Sequence, residues 1–301
     1  MSTAIRQSAA AEPWPPQAQR WPPAFPPPWA SAFGDDPRGL WADATIFDVV
    51  QRFRWIEPGE FWMGSPADEA ERTEDEGPRH RVRLTQGFWL ADTACSQALW
   101  QAVMGENPSH FTDDPQNPVE QVRWDEVQGF LERVGGSLPG GRAELPTEAE
   151  WEYACRAGSE TAFHWGETID PSQANYNGNL AYAGGATGEY RARTVPVKSF
   201  APNAWGLYQM HGNVWEWCAD DRREYRDEAC TDPRGPEGGG AERAVRGGGW
   251  LSGPGGLRSA YRSRGHRGGR YVPLGFRFAL RSTGPAAGAE RPKQAPLTRD
   301  A

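Results

Sequence analysis

"GGGWLSGPGGLRSAYRSRGHRGGRYVPLGFRFAL", residues 247–280, mixes two kinds of residue. Fixed-looking pieces ("GGGW", "LRSAYR", "LGFR") alternate with small, polar or bulky residues that follow neither the helical nor the strand period. Nine arginines lie from Arg243 to Arg281, and no acid occurs from Arg243 to Ala289. Glycines shape the backbone here through turns, which leaves the intervening side chains free of that duty. Such a segment is an active site, a nucleic-acid patch, or a binding surface whose side chains are interchangeable. The rest of the chain decides between these.

The 301-residue chain carries a net charge of -8, which disfavours nucleic acid as partner despite the basic run. Its arginines are instead expected to pair with acids elsewhere, such as Asp220 and Asp221. Hydrophobic content is only 38%, yet there are 15 tryptophans. Each buried indole N–H needs an acceptor, which points to a loop-rich fold with inward-facing carbonyls. No apolar run approaches the length of a membrane span. The start, "MSTAIRQSAAAEPWPP", has no apolar stretch behind its Arg, so a cytoplasmic location is expected. Cys95, Cys155, Cys218 and Cys230 have no metal-type spacing and are expected to be free thiols.

Residues 1–39 form a Pro- and Trp-rich arm, whose tryptophans suggest that it lies against the body. One domain is expected over 40–282, followed by a disordered tail at 283–301. Val49, Phe53 and Trp55 read as a strand joined by a Pro-Gly turn to a second in "PGEFWMGS". "ADEAERTEDEGPRH" (67–80) reads as a solvated loop, and "HRVRLTQGFWLAD" as a half-buried strand. Helices are expected at about 95–104, ending at Gly105, and at about 124–134, with Val127, Phe130, Leu131 and Val134 inward. A third starts at Thr147, where Glu150 completes a capping box, with Trp151, Ala154 and Cys155 on its buried face.

Four blocks then stand in order: "GEFWMGSP", "ELPTEAEWEYACRAG", "GLYQMHGNVWEWCAD" and "RGGGW…LGFRF". Together they resemble the formylglycine-generating enzyme (sulfatase-modifying factor) family over roughly residues 55–280. The resemblance implies an α+β fold, a variant of the C-type lectin fold with short twisted antiparallel sheets, flanking helices and much irregular loop. It also implies structural calcium, bound by hard oxygens. One set would be Glu216 with carbonyls around Gly212 and Val214; the other, Asn175, the Tyr176 carbonyl and Glu189.

The family's oxidases carry their chemistry on two cysteines after a "GGSW"-like motif, where soft thiolates hold Cu(I). Ser252 and Leu257 stand at those positions here, and no cysteine follows Cys230, so no copper and no oxidase activity are expected. An iron-dependent sulfoxide synthase, also related, needs a histidine site; His80, His110, His164, His211 and His266 show no paired spacing. No G-x-S-x-G elbow supports a serine triad.

What remains is a resemblance to the variable proteins of diversity-generating retroelements. Their C-terminal segment reads "RGGSW", a diversified run, "LRSA-x-R-x-R", another run, then "GFR". The variable region maps here to 247–277, with the diversified positions Leu251, Ser252, Gly253, Gly256, Tyr261, Ser263, Gly265, His266, Gly269, Tyr271, Val272 and Pro273. Randomised asparagine codons cannot give Trp, Met, Lys, Glu or Gln, and none of these positions carries one. The resemblance implies an unidentified protein or other macromolecular ligand bound through 251–273, with Trp250 and Phe276 as buried anchors. Gly249, where Ser is usual, departs from the pattern. A formylglycine-generating-type oxidase is the alternative.

Overall fold

The structure, a computed structural model, describes residues 20–236 and 240–282. The expected tail 283–301 and the arm's first 19 residues lie outside them. In chain order the elements are β1 (Ala32–Asp36), β2 (Gly39–Ile46), β3 (Val49–Ile56), β4 (Gly59–Met63), β5 (His80–Leu84), β6 (Phe88–Ala91), α1 (Gln97–Met104), α2 (Trp124–Ser137), β7 (Gly141–Glu144) and α3 (Glu148–Arg156). Then follow β8 (Trp215–Trp217), β9 (Cys230–Thr231), β10 (Glu242–Arg246), β11 (Ser263–His266), β12 (Leu274–Gly275) and β13 (Ala279–Ser282).

They make three sheets: β1-β2-β3-β6-β13-β7, β11-β10-β8-β12 and β4-β5-β9. Pairing is antiparallel except for β12 with β8 and β5 with β9. The Pro-Gly turn therefore joins β3 and β4 without pairing them; each enters a different sheet. "HRVRLTQGFWLAD" is likewise two strands, and β6 is buried throughout because it lies inside the six-stranded sheet.

The helices follow their capping chemistry. Ser96 Oγ accepts from the Leu99 amide at 3.2 Å, and Gly105 ends α1 with φ +86°. Helix α2 buries Val127, Phe130, Leu131 and Val134 but continues through Gly135 and Gly136 to Ser137, beyond the expected end. Thr147 and Glu150 form the capping box of α3. All nine residues of α3 are buried, its glutamates included, so the helix has no solvent face.

The main core lies between the six-stranded sheet, α1, α2 and the four-stranded sheet. Trp100 stacks on Phe130 with centroids 5.4 Å apart, and Phe276 meets both rings edge-on. The arm also packs here: Trp29 is buried, edge-on to Trp89 and Phe53. A boundary at residue 40 would cut the β1–β2 hairpin, so the folded body begins ahead of it.

The long stretch from α3 to β8 contains no strand and is stapled by asparagines. Asn203 Oδ1 accepts the Trp205 and Leu207 amides, each at 3.1 Å, and its Nδ2 donates to Ala154 O at 2.8 Å. Tryptophan is less well served than expected: Trp55, Trp124, Trp151, Trp165 and Trp217 find acceptors, whereas the buried Nε1 atoms of Trp29, Trp89, Trp100 and Trp250 find none.

Candidate functional site: the face built by residues 247–277

The segment leaves β10, passes through β11 and returns as β12, so the four-stranded sheet holds it at both ends. Gly247 and Gly248 have φ of +96° and +77°, a conformation that favours glycine. Arginines of the fixed pattern tie the rest down. Arg246 reaches Glu152 and the Tyr261 carbonyl. Arg258 donates to Glu76 at 2.6 and 2.7 Å and to Glu69 at 2.6 Å. Arg262 forks onto Glu148 with two 2.7 Å bonds. Arg277 forks onto Glu216 with two more of 2.7 Å. All are buried, charge-assisted pairs, and those of Arg258 with Glu76, Arg262 with Glu148 and Arg277 with Glu216 are bidentate.

Burial opposes ionisation of Glu152, but Arg246, Arg156 and the Gly64 amide outweigh it and hold its carboxyl below the ordinary value. Burial likewise opposes the charge on Arg246, yet Glu152 leaves its pKa raised. Arg258 is shared unequally: Glu76 is lowered by it, whereas in Glu69 burial wins and the carboxyl is raised.

The expected partners need correction. Asp221 does pair with Arg243, but Asp220 accepts the Glu148 and Gly235 amides instead. The acids that matter are glutamates, two of them in the stretch 67–80 read as a solvated loop. Glu69 and Glu76 turn inward there because Arg258 needs counter-charge.

The expected variable positions sit differently. Leu251 is 46% and Tyr271 43% exposed, His266 is exposed, and Ser252, Gly253, Gly256, Tyr261, Ser263, Gly269, Val272 and Pro273 are half-buried. Their side chains make few bonds. Ser252 Oγ accepts the Gly249 amide at 3.0 Å, and His266 Nδ1 accepts the Gly268 amide at 3.2 Å. A Cβ on Gly256 would have no neighbour closer than 3.7 Å. Gly265 is the exception. It is buried, and a Cβ there would lie 2.5 Å from the Trp217 ring, so it belongs to the scaffold. Gly249 also has a reason: a Cβ would lie 2.7 Å from Pro273 Cβ, so a serine would collide with this chain's proline.

Phe276 is fully buried, but Trp250 is only half-buried, edge-on to Phe111 at 5.6 Å, so it borders the face rather than anchoring beneath it. Sequence reasoning missed Trp215. Its half-buried ring lies 5.8 Å from that of Tyr261 and joins Tyr271, Pro273 and Leu274 around an open pocket of about 170 Å³. Alternation within "WEW" could have found it, since its neighbour Glu216 points to Arg277.

Neither calcium set is complete. The Glu216 oxygens accept from Arg277 and from Trp151 Nε1 at 2.7 Å, so a cation there would meet a guanidinium. The set Gly212, Val214 and Glu216 therefore does not fit. In the other, Asn175 is buried and its Oδ1 has no partner, which suits one ligand oxygen; the Glu189 carboxylate is exposed and pairs with Arg191 at 3.0 Å. Tyr176 is fully buried beside it in the chain.

All four cysteines are unpaired. Cys155 Sγ lies 3.6 Å from His211 Nε2, but burial pushes the thiol up to about 12 and His211 down to about 3. Both stay neutral, so this is packing and not an activated nucleophile.

A lectin-like scaffold with a buried, ion-paired frame is the class these features define. The chain belongs to the sulfatase-modifying factor family: residues 46–282 match the sulfatase-modifying factor enzyme 1-like domain. It is 40% identical over 175 residues to the formylglycine-generating enzyme of Thermomonospora curvata, covering 54% of this chain and 53% of that one. The chain spans about half the length of such curated relatives. Among solved structures, Treponema denticola variable protein 1 is similar with a TM-score of 0.67 and 26% identity, over 80% of this chain and 99% of that one. PvdO from Pseudomonas aeruginosa is similar with a TM-score of 0.65 and 26% identity, over 84% and 98%.

Proposed function

We propose that the protein binds a ligand through a diversified surface, residues 251–273, displayed on its lectin-like scaffold. The observation that carries this is the division of labour within 247–277. Every buried ion pair of the segment uses a fixed arginine, and none uses a side chain from the diversified set. Tyr, Ser and Gly on the face resemble the mixture of contact area and adaptable small residues found in antibody paratopes. A protein or other macromolecule is the proposed partner. Nucleic acid is disfavoured because the exposed Arg264 and Arg270 and the half-buried Arg267 already pair with Glu242, Glu126 and Asp125.

The oxidase reading draws on the names of the relatives. Against it, Ser252 and the fully buried Leu257 offer no soft ligand for Cu(I) at the two positions. A single calcium on the loop of Asn175, Tyr176 and Glu189 is a further part of the proposal, supported by the unpartnered Asn175 oxygen. A cytoplasmic location is also proposed; among the described residues no helix is long and apolar enough to cross a membrane. The test is the DNA beside the gene. A near-copy of codons 247–277 differing only at adenines, with a reverse transcriptase gene, is the expected finding. An intact neighbourhood holding neither would sink the diversification.

A further inference from the structure

The connection "DRREYRDEACTDPRGP" (221–236), between β8 and β10, contains none of the positions proposed as diversified. It folds around an open groove of about 650 Å³, lined by Arg222, Arg223, Arg226 and Arg234 and by the acids Glu224 and Glu228. Four guanidinium groups thus face two carboxylates. An adjoining cleft of about 680 Å³ shares Arg222, Arg223 and Glu224 with it.

Arg223 is the informative residue. Among the described residues the buried arginines all have carboxylate partners: Arg54, Arg156, Arg243, Arg246, Arg258, Arg262 and Arg277. Arg223, half-buried, has none among the described residues. Its Nη2 donates instead to His80 Nε2 at 2.8 Å, and its guanidinium stands 4.7 Å over the Tyr225 ring. His80 Nδ1 donates to the Pro78 carbonyl at 2.9 Å, so its Nε2 is a bare lone pair on a neutral ring. Burial and the nearby Arg223 both keep that ring uncharged. The guanidinium is therefore held in one place with its charge uncompensated. Arg226 and Arg234 are exposed and also lack a carboxylate partner among the described residues. Tyr225 is buried, lines the adjoining cleft, and its hydroxyl has no hydrogen-bond partner.

We infer that this groove binds a phosphate group, free or carried on a small molecule, with Arg223 as its fixed centre and Arg226 and Arg234 as flanking donors. Planar guanidinium forks match phosphate oxygens in pairs. With Arg222 already paired to Asp75, Arg223, Arg226 and Arg234 still exceed Glu224 and Glu228 in charge, and a phosphate group offsets that excess. The volume lies in the range of small-molecule sites and exceeds what a bare anion fills. Arg222 stays with Asp75 and serves as a second layer of charge.

The experiment is calorimetric titration of the full chain with inorganic phosphate and, separately, with glucose 6-phosphate. Arg226→Ala/Arg234→Ala is the test variant, since both residues are exposed. Arg267→Ala/Arg270→Ala is the control, removing equal charge elsewhere. The expected result is binding by the native protein that weakens with salt, falls at least about tenfold in the test variant and persists in the control. Equal affinity for the two probes assigns a free-anion site; tighter binding of the sugar phosphate assigns an organic phosphate. Failure of the native protein to bind either probe, or binding that survives in the test variant, overturns the inference.

Discussion

Replacing Leu251, Ser252, Tyr261, His266, Tyr271 and Val272 together by asparagine should leave the fold standing. Leu251 and Tyr271 are 46% and 43% exposed, and none of the six side chains enters a buried ion pair. Surface substitutions stay within about 0.5 kcal/mol each, so the set costs less than about 3 kcal/mol even if every change has the same sign. The largest local losses are the Tyr261 ring beside Trp215 and the Ser252 acceptor for the Gly249 amide, which an asparagine oxygen can replace. Arg277→Met is the comparator. It strands the Glu216 carboxylate, 1% exposed, without its counter-charge, a change that costs about 3–5 kcal/mol. Six substitutions should therefore cost less than one. Urea denaturation reads the midpoint, and an unchanged slope certifies that the same surface unfolds. A six-fold variant that aggregates, or whose midpoint falls below that of Arg277→Met, refutes the separation of frame from face.

Gly265→Asn should destabilise by about 1–3 kcal/mol through overpacking against Trp217, in contrast to Gly256→Asn, which has room; denaturation midpoints of the pair check this. The stability contributed by His164 and His211 should fall on mild acidification. Burial pushes His211 to about 3 and His164 to about 4, from 6.5, so their contribution is complete above about pH 6.5 and is lost as pH falls through those values. Asp220, raised to about 6 by burial and by Glu148, works the other way, its contribution being lost as pH rises from 3.8 through 6. His211→Gln removes that histidine's share, so its midpoint should fall less between about pH 7 and about pH 5 than that of the native protein. Calcium should raise the melting temperature relative to chelator, with Glu216→Gln leaving that increment intact; identical melting in both conditions removes the Asn175 loop site.

The parts of this fold legible in the sequence are those with a local cause. Ser96 and Gly105 bound α1, and Thr147 with Glu150 opens α3, because capping is settled within one turn. The four family blocks carried the architecture as a resemblance. What the chain hid is long-range. Helical periodicity makes Trp151, Ala154 and Cys155 the inner face of α3, yet Glu148 and Glu152 are equally buried, because Arg246 and Arg262 arrive from far along the chain. Nothing near either glutamate announces that partner. The acidic stretch 67–80 was opaque for the same reason. Within the candidate site, Leu251, His266 and Tyr271 are exposed and most of the other proposed positions only half-buried, whereas burial of Gly265 needed the position of Trp217, which no spacing rule supplies.

If the surface is diversified as proposed, the choice of arginine for the frame has a physical consequence. Buried ion pairs add little net stability over well-packed apolar groups, because desolvation offsets their attraction. They do fix direction. An apolar anchor adjacent to a randomised position would shift its packing with each new neighbour, since cores respond to changes of a single methylene. A guanidinium fork clamped on a carboxylate has one geometry and loses several kcal/mol if it leaves it. Here three such forks run to three separate places, Arg262 to α3, Arg258 to the loop of Glu69 and Glu76, and Arg277 to β8, and Arg246 adds a single bond to Glu152 of α3. The backbone between them is pinned on several sides without using any diversified side chain. Under the proposed function, register is thus set by the arginine frame, and affinity is left to the positions proposed as diversified.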